Sequence, residues 1–287
     1  MPSKANDSEC RALPAGVVQR EAWRHRGSVT VQVTDAIAEE IPVAFIYNDR
    51  PHAVMMATPA DLEDFALGFS LSEAIIADPR ECEKVEIVPA LAGIELRATI
   101  PPERAALIED RVRELTGRTG CGLCGAQTLD AAVRHPAPVA TGIRVNADAL
   151  KHALDRLPAG QSINAATGAV HAAAWVRTDG SIALLREDVG RHNALDKLIG
   201  SMALARLDPR DGFLVVTSRA SYEMVMKAAT VGIGAVAAIS APTALAIALA
   251  RETNVLLIGF ARREGWSAYT FPQRVGMPAR APGELAS

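Results

Sequence analysis

The sequence is poor in aromatic residues and in cysteine, and it carries no marked excess of charge of either sign. Phenylalanine, tryptophan and tyrosine make up 4% of 287 residues, and four cysteines are scattered along the chain. Four cysteines are too few for a disulfide scaffold in a chain of this length, which is typical of a reducing, cytoplasmic setting. The net charge of −3 indicates no general affinity for nucleic acid. We therefore expect a cytoplasmic protein with no nucleic-acid partner.

Long apolar segments of the kind that enter membranes are also lacking. Residues 1–26 contain no apolar run of a secretory signal. The uncharged run from Val231 to Ala250 approaches the roughly 20 residues of a spanning helix, but Pro242 lies near its middle and cannot continue a helix. We interpret this run as a buried strand, a turn and a buried helix, and we expect no membrane association.

Strand and helix signals alternate along the chain and predict an α/β protein. We expect a disordered tail over residues 1–25, an N-terminal α+β region over 26–135, and an α/β domain over 136–287. Within the last of these, strands at 213–217, 235–239 and 255–259 alternate with helices at 222–230 and 243–251. A β-α-β-α-β order is typical of parallel strands. The prediction is a mainly parallel sheet flanked by helices.

A pair of cysteines, Cys121 and Cys124, lies in a segment that contains four glycines between residues 117 and 125. This spacing suits half of a metal site, a dithiol redox centre or a nucleophilic thiolate pair. No other cysteines or paired histidines complete a zinc site, so we expect no structural metal. Gly120 precedes Cys121, and no His-x-Glu occurs, which argues against a zinc-dependent base deaminase. A mobile loop that carries sulfur on one cysteine while the other attacks the persulfide fits best.

Polar residues also follow three of the predicted strands. Asp188 and His192 lie at the start of a predicted helix, where Asp196, four residues after His192, could orient the imidazole. Ser218 and Arg219 follow the strand at 213–217, and adjacent arginines, Arg262 and Arg263, follow the last strand. Helix starts and strand ends of α/β sheets bind anions. A nucleotide-sized pocket is predicted here, without a Walker or dinucleotide fingerprint.

Several ordered blocks together resemble the FdhD family of formate dehydrogenase accessory sulfurtransferases. The blocks are Cys121-Gly122-Leu123-Cys124-Gly125, the run from Glu187 to Lys197, Ser218 to Glu223, Ser240 to Thr243, and Leu257 to Arg262. The resemblance covers nearly the whole chain, and it implies a cytidine-deaminase-like α/β fold with an added N-terminal region, and a homodimer.

The same resemblance implies a function and a set of site residues. Sulfur would pass from a cysteine desulfurase, as a persulfide on Cys121 assisted by Cys124, to the molybdenum bis(molybdopterin guanine dinucleotide) cofactor that formate dehydrogenase needs. The implied cofactor-binding segment comprises Phe260, Ala261, Arg262, Arg263, Glu264 and Gly265. Two alternatives remain open: a cofactor-binding chaperone that does not carry sulfur, and a general dithiol oxidoreductase.

Overall fold

The structure, a computed structural model, describes residues 13–115, 134–140 and 142–277, and it is a mixed α/β fold with twelve strands and seven α-helices in those ranges. The strands are β1 (Val17–Arg26), β2 (Val29–Ala38), β3 (Ile41–Tyr47), β4 (Arg50–Ala57), β5 (Lys84–Ala90), β6 (Gly93–Thr99), β7 (His171–Arg177), β8 (Ile182–Asp188), β9 (Gly212–Val216), β10 (Ala235–Ala238), β11 (Leu256–Arg262) and β12 (Gly265–Ala268). The helices are α1 (Leu62–Ser72), α2 (Pro102–Leu115), α3 (Ala147–Gly160), α4 (Ser162–Thr167), α5 (Arg191–Leu204), α6 (Tyr222–Thr230) and α7 (Ala244–Glu252).

The largest sheet has six strands in the order β12-β11-β10-β9-β7-β8. Strands β9, β10 and β11 are parallel, as the β-α-β-α-β order predicts. The pairs β7–β8, β7–β9 and β11–β12 are antiparallel. The sheet is therefore mixed, and the prediction of a mainly parallel sheet is wrong. The reason is that β7–β8 and β11–β12 are hairpins with short turns, which can join only antiparallel strands.

A second, four-stranded sheet in the order β4-β3-β6-β5 lies in the N-terminal half. Its inner face packs on α1 through Phe45, Phe65 and Phe69. One continuous core joins this sheet, helices α1, α5, α6 and α7, and one face of the six-stranded sheet. A second core covers the other face of the six-stranded sheet with α3. The layers run from the small sheet through a helical layer to the large sheet and α3.

Helices α1 and α5 approach closely enough to need glycine on both. A Cβ added at Gly68 would lie 1.7 Å from the Asp196 carbonyl oxygen, and one at Gly200 would lie 1.9 Å from that of Asp64. Neither distance is possible for real atoms. The two glycines therefore set the spacing of the helices that join the two halves.

The predicted disordered tail is wrong where the structure describes it. Residues 17–26 form β1, which pairs antiparallel with β2 from Val17↔Ala38 to Arg26↔Val29. The error arises because Gln19, Arg20 and Glu21 are all exposed and give β1 the composition of a loop. Residues 1–12 of the predicted tail lie outside the described residues.

The uncharged run from Val231 to Ala250 forms β10, a turn through Pro242 and the first part of α7, as predicted. Across the described ranges, none of the helices combines the length and apolar character required to cross a membrane.

Candidate functional site

The predicted polar positions that the structure describes meet along one edge of the six-stranded sheet. Parallel strands β9, β10 and β11 end there, and the antiparallel β7 starts there, since Ala173 pairs with Val216. Strand β8 ends at the same edge, because Asp188 pairs with His171. The β11–β12 turn closes the far end, where Arg262 pairs with Gly265. We call this the carboxyl edge; it is bordered by the first turns of α5 and α6.

Asp188 lies beneath the carboxyl edge and is fully buried. One carboxylate oxygen accepts hydrogen bonds from the Gly190 amide at 2.8 Å and the Asn193 side chain at 2.9 Å. The other lies 2.6 Å from Lys197 Nζ and accepts the Thr58 amide at 3.0 Å. Both oxygens are thus committed to the protein. The contacts give Asp188 a positioning role, holding the start of α5 against the N-terminal half.

His192 faces α6 rather than its own helix. Its Nε2 lies 2.6 Å from a carboxylate oxygen of Glu223 in an ion-pair contact, and this partner lowers the pKa of Glu223. The predicted pairing of His192 with Asp196 is wrong, because the Asp196 carboxylate binds Ser72 and Lys227 instead. The contact with Glu223 ties the first turns of α5 and α6 together.

His171, at the start of β7, belongs to the same cluster. Burial is the main effect that lowers the pKa of His171, and the nearby charges of Arg191 and His192 lower it further. A lowered pKa favours the neutral imidazole near neutral pH, which can accept a proton at one ring nitrogen.

At the carboxyl edge, Arg191 Nε and Ser221 Oγ are buried and have no hydrogen-bond partner among the described residues. The N-caps of α5 and α6, Gly190 and Ser221, provide no side-chain cap, so the first amides of both helices remain available to another acceptor. Ser218 is buried, and its hydroxyl donates to the Arg219 carbonyl at 3.0 Å, while the Arg219 side chain is exposed. Unsatisfied donors and a helix start favour an anionic group.

The predicted segment from Phe260 to Gly265 forms the end of β11, a turn and the start of β12. Phe260 has a φ of 52° and its side chain is 45% exposed. A bulky residue in the left-handed region is strained, and such strain is concentrated at functional sites. Its amide donates to the Ser240 carbonyl at 3.1 Å, which fixes the turned backbone and leaves the aromatic ring accessible for stacking.

The remaining residues of this segment differ in what they offer. Ala261 is buried, whereas Arg262 and Glu264 are exposed. Arg263 binds the carboxylate of Asp155 on α3. Arg262 is therefore the arginine better placed to meet a ligand, and Arg263 holds the turn to α3.

Cys121 and Cys124 lie outside the described residues. The chain is described again from Arg134, whose guanidinium binds the carboxylate of Glu73. The Arg134 carbonyl accepts a hydrogen bond from the Tyr222 hydroxyl at 2.5 Å. Tyr222 is the first residue of α6 and precedes Glu223, the partner of His192. The anchor of the cysteine-bearing segment thus lies beside one end of the carboxyl edge.

A buried charge network continues from this anchor into the core. Lys227 on α6 lies 2.7 Å from Glu73 and 2.9 Å from Asp196, and it also binds Ser72. The network connects α1, α5, α6 and Arg134.

Sequence reasoning did not assign His171, Arg191, Ser221 or Glu223 to the site. Arg191, Ser221 and Glu223 lie within the two sequence blocks around His192 and Ser218, so adjacency in the chain was a usable signal. The place of His171 at the site depends on the antiparallel pairing of β7 with both β8 and β9.

Comparison with known proteins gives consistent matches over almost the whole chain. The model of the FdhD/NarQ family matches residues 38–276. A protein of Xanthomonas euvesicatoria pv. vesicatoria named "Sulfur carrier protein FdhD" is 55% identical over 276 residues, covering 96% of this chain and 98% of the relative. One of the same name from Cupriavidus necator is 48% identical over 274 residues, covering 96% and 94%. A crystal structure from Desulfotalea psychrophila, assigned as a formate dehydrogenase accessory protein, superposes with a TM-score of 0.69 at 23% identity, covering 90% and 99%. At that identity the likeness shows the fold alone.

Proposed function

Because the chain belongs to the FdhD/NarQ family, we propose that it is a sulfur carrier that accepts sulfur from a cysteine desulfurase and delivers it to the molybdenum bis(molybdopterin guanine dinucleotide) cofactor for formate dehydrogenase. The observation that carries the proposal is the anchor of the cysteine-bearing segment beside the carboxyl edge, through Arg134 and Tyr222. Cys124 is ten residues from this anchor. Ten residues span at most about 36 Å, so the chain permits a sulfur on either cysteine to reach the edge.

The residues of the carboxyl edge suit a phosphorylated substrate such as this cofactor. Arg191, Ser221 and the uncapped starts of α5 and α6 offer donors to phosphate oxygens. Phe260 offers an exposed aromatic face for a purine. Asp188 acts indirectly, by fixing the start of α5.

The sulfur chemistry requires both cysteines. We propose that Cys121 carries the sulfur as a persulfide, and that the Cys124 thiolate then attacks the inner sulfur. This step forms the Cys121–Cys124 disulfide, breaks the bond to the outer sulfur and releases that sulfur as hydrosulfide. The two cysteine thiols supply the two electrons that reduce the outer sulfur. A reductant must then restore the dithiol before the next cycle. The neutral imidazole of His171 is suited to accept a proton at the edge.

The proposed partners follow from this role. They are a cysteine desulfurase as sulfur donor, formate dehydrogenase as recipient of the sulfurated cofactor, and a second copy of the chain in a homodimer, all in the cytoplasm.

Peptide mass spectrometry after incubation with a cysteine desulfurase and cysteine tests the carrier role. We expect a sulfur adduct on the peptide containing Cys121, and its loss in Cys121→Ala. Cys82→Ala is the matched control, because burial raises the pKa of the Cys82 thiol and a protonated thiol is a poor sulfur acceptor. The adduct should persist in this variant.

An adduct that survives in Cys121→Ala would contradict the assignment, whereas Cys124→Ala should keep the adduct because Cys124 acts only after the sulfur is bound. Failure to form any adduct, in protein that still supports formate dehydrogenase activity, would favour the cofactor-escort alternative.

A further inference from the structure

The contact between His192 and Glu223 is close but poorly aligned. Their facing atoms lie 2.6 Å apart, yet His192 Nε2 is buried and has no hydrogen-bond partner among the described residues. A hydrogen bond weakens steeply when the N–H does not point at the acceptor. The attraction between the two side chains is therefore mainly that of their charges, and the imidazole is left without an aligned acceptor.

Two neighbours of this pair are buried polar groups in the same condition. Arg191 Nε and Ser221 Oγ also have no hydrogen-bond partner among the described residues. Buried donors without an acceptor are costly. The contact with His192, and then the charges of Lys227 and Arg191, lower the pKa of Glu223. This carboxylate is therefore ionised near neutral pH and lies among positive charges that it does not fully satisfy.

Glu223 can leave this cluster at little cost. Its side chain is 55% exposed, whereas that of His192 is 24% exposed. A half-exposed carboxylate regains water when it swings outward, and exposed ion pairs contribute little to stability. Its place in the first turn of α6 is favourable even without a partner. Asp188, in contrast, is fully buried and has both oxygens bound by protein donors.

We propose that Glu223 holds the place of a substrate phosphate. Its carboxylate compensates the charges of His192 and Arg191 while the carboxyl edge is empty, and it swings out to water when a phosphate takes those two donors. Carboxylate and phosphate oxygens accept from the same groups, so a singly charged anion gains little over the carboxylate already there. Glu223 therefore selects for anions of higher charge, such as a nucleoside diphosphate. This inference rests on the phosphorylated substrate proposed above.

Calorimetric titration of the full chain with GDP and with inorganic pyrophosphate tests the proposal. Glu223→Gln keeps the shape of the side chain and removes the competing charge. We expect it to bind both probes about 3- to 10-fold more tightly than the wild type does, at pH 7 and roughly 0.15 M salt. Damage to the fold would weaken binding, so a gain in affinity has no structural explanation.

Glu103→Gln is the matched control. Glu103 is the second residue of α2 and Glu223 the second residue of α6, and both are exposed, so each substitution removes the same charge from the same helical position. Helix α2 lies at the other end of α5 and α6, where Arg104 borders a cavity with Met202 and Thr230. Charges farther apart than about 8 Å are largely screened at this salt concentration. Affinity for both probes should therefore stay within about 2-fold of the wild type.

His192→Gln tests whether the competition takes place at the imidazole. The substitution removes a donor that both anions use, so pyrophosphate binding should weaken by roughly 10-fold or more. In this background, adding Glu223→Gln should change the affinity by less than about 2-fold, because the two residues are coupled through one contact.

Three results would overturn the proposal. They are a Glu223→Gln variant that binds pyrophosphate no more tightly than the wild type, an equal gain in Glu103→Gln, and an undiminished gain in the His192→Gln background. If the wild type binds GDP in these cases, the proposed substrate stands and Glu223 has no selective role. If neither the wild type nor Glu223→Gln binds either probe, the phosphate site itself is wrong, and the sulfur adduct on Cys121 remains the separate test of the carrier role.

Discussion

Two buried lysines show how single side chains determine the geometry of the carboxyl edge. Lys197 pairs with Asp188 beneath the edge, and Lys227 contacts both Asp196 and Glu73 at one end of it. Burial opposes the charge of Lys227, but Asp196 and Glu73 outweigh it and raise its pKa. Removing one partner of a buried pair costs about 3–5 kcal/mol. These pairs therefore hold α5 and α6 in register with α1.

The Glu73 carboxylate should contribute stability that depends on pH. Burial opposes its charge, but Lys227 and Arg134 prevail and lower its pKa to about 2 from an ordinary 4.5. A depressed pKa stabilises the folded state above pH 4.5, and this stability is lost as the pH falls toward 2. Glu73→Gln should therefore lower the free energy of unfolding at pH 7 by roughly 1–3 kcal/mol, as measured by urea denaturation.

The difference in the free energy of unfolding between wild type and Glu73→Gln should decrease as the pH falls below 4.5. Glu95→Gln is the control, because Glu95 pairs with Arg97 on the surface, where an ion pair contributes about 0–1 kcal/mol. If the difference in the free energy of unfolding between wild type and Glu73→Gln stays constant from pH 7 to pH 3, the charge of Glu73 is not responsible for it.

Individual elements were predictable from sequence where their burial was uniform. Strands β9 and β10 are buried throughout, and their runs of apolar residues indicate parallel strands. The β1–β2 hairpin was not predicted, although Val29, Val31 and Val33 alternate with polar residues along β2, because most of both strands is exposed and the polar composition of β1 is that of a loop. The crossing of α1 and α5 was hidden as well. A glycine inside a helix reveals close packing only when the facing helix is known.

Gly200→Ala should disturb the crossing of these two helices. Its Cβ would lie 1.9 Å from the backbone of Asp64, so α1 must move, at a cost of about 1–3 kcal/mol or more. Gly160→Ala, at the end of α3, is the control, because its nearest neighbour is the flexible end of Leu185 at 3.1 Å. Chemical denaturation should show a large loss in the free energy of unfolding for Gly200→Ala and a change within about 1 kcal/mol for Gly160→Ala. Equal losses would mean that the crossing is not the cause.

At the scale of the whole molecule, one core crosses the predicted boundary between residues 135 and 136. Buried residues of β3, α1, α5 and β9 belong to a single cluster, so the regions on either side are packed against each other. The carboxyl edge illustrates the limit of sequence reasoning at this scale. Ser218, His192 and Arg262 were placed together because each follows a strand or starts a helix, whereas the place of His171 depends on tertiary pairing.

We expect the two sides of this boundary to unfold together. A shared core predicts one calorimetric transition, with van't Hoff and calorimetric enthalpies in agreement. Amide exchange in β3 and β9 should then report the same free energy of opening. Two separate transitions, or much faster exchange in β3, would show that the N-terminal half is an independent domain.

The hydrogen bond from Lys197 Nζ to the Thr58 carbonyl joins residues 139 positions apart in the sequence. During synthesis on the ribosome, this separation delays the formation of the bond. At roughly 5–20 residues per second, Thr58 is made about 7–28 seconds before Lys197. Over that interval the face of α1 that packs on α5 has nothing to cover it. The nascent N-terminal half therefore presents apolar surface to the ribosome exit and its surroundings until the second half emerges.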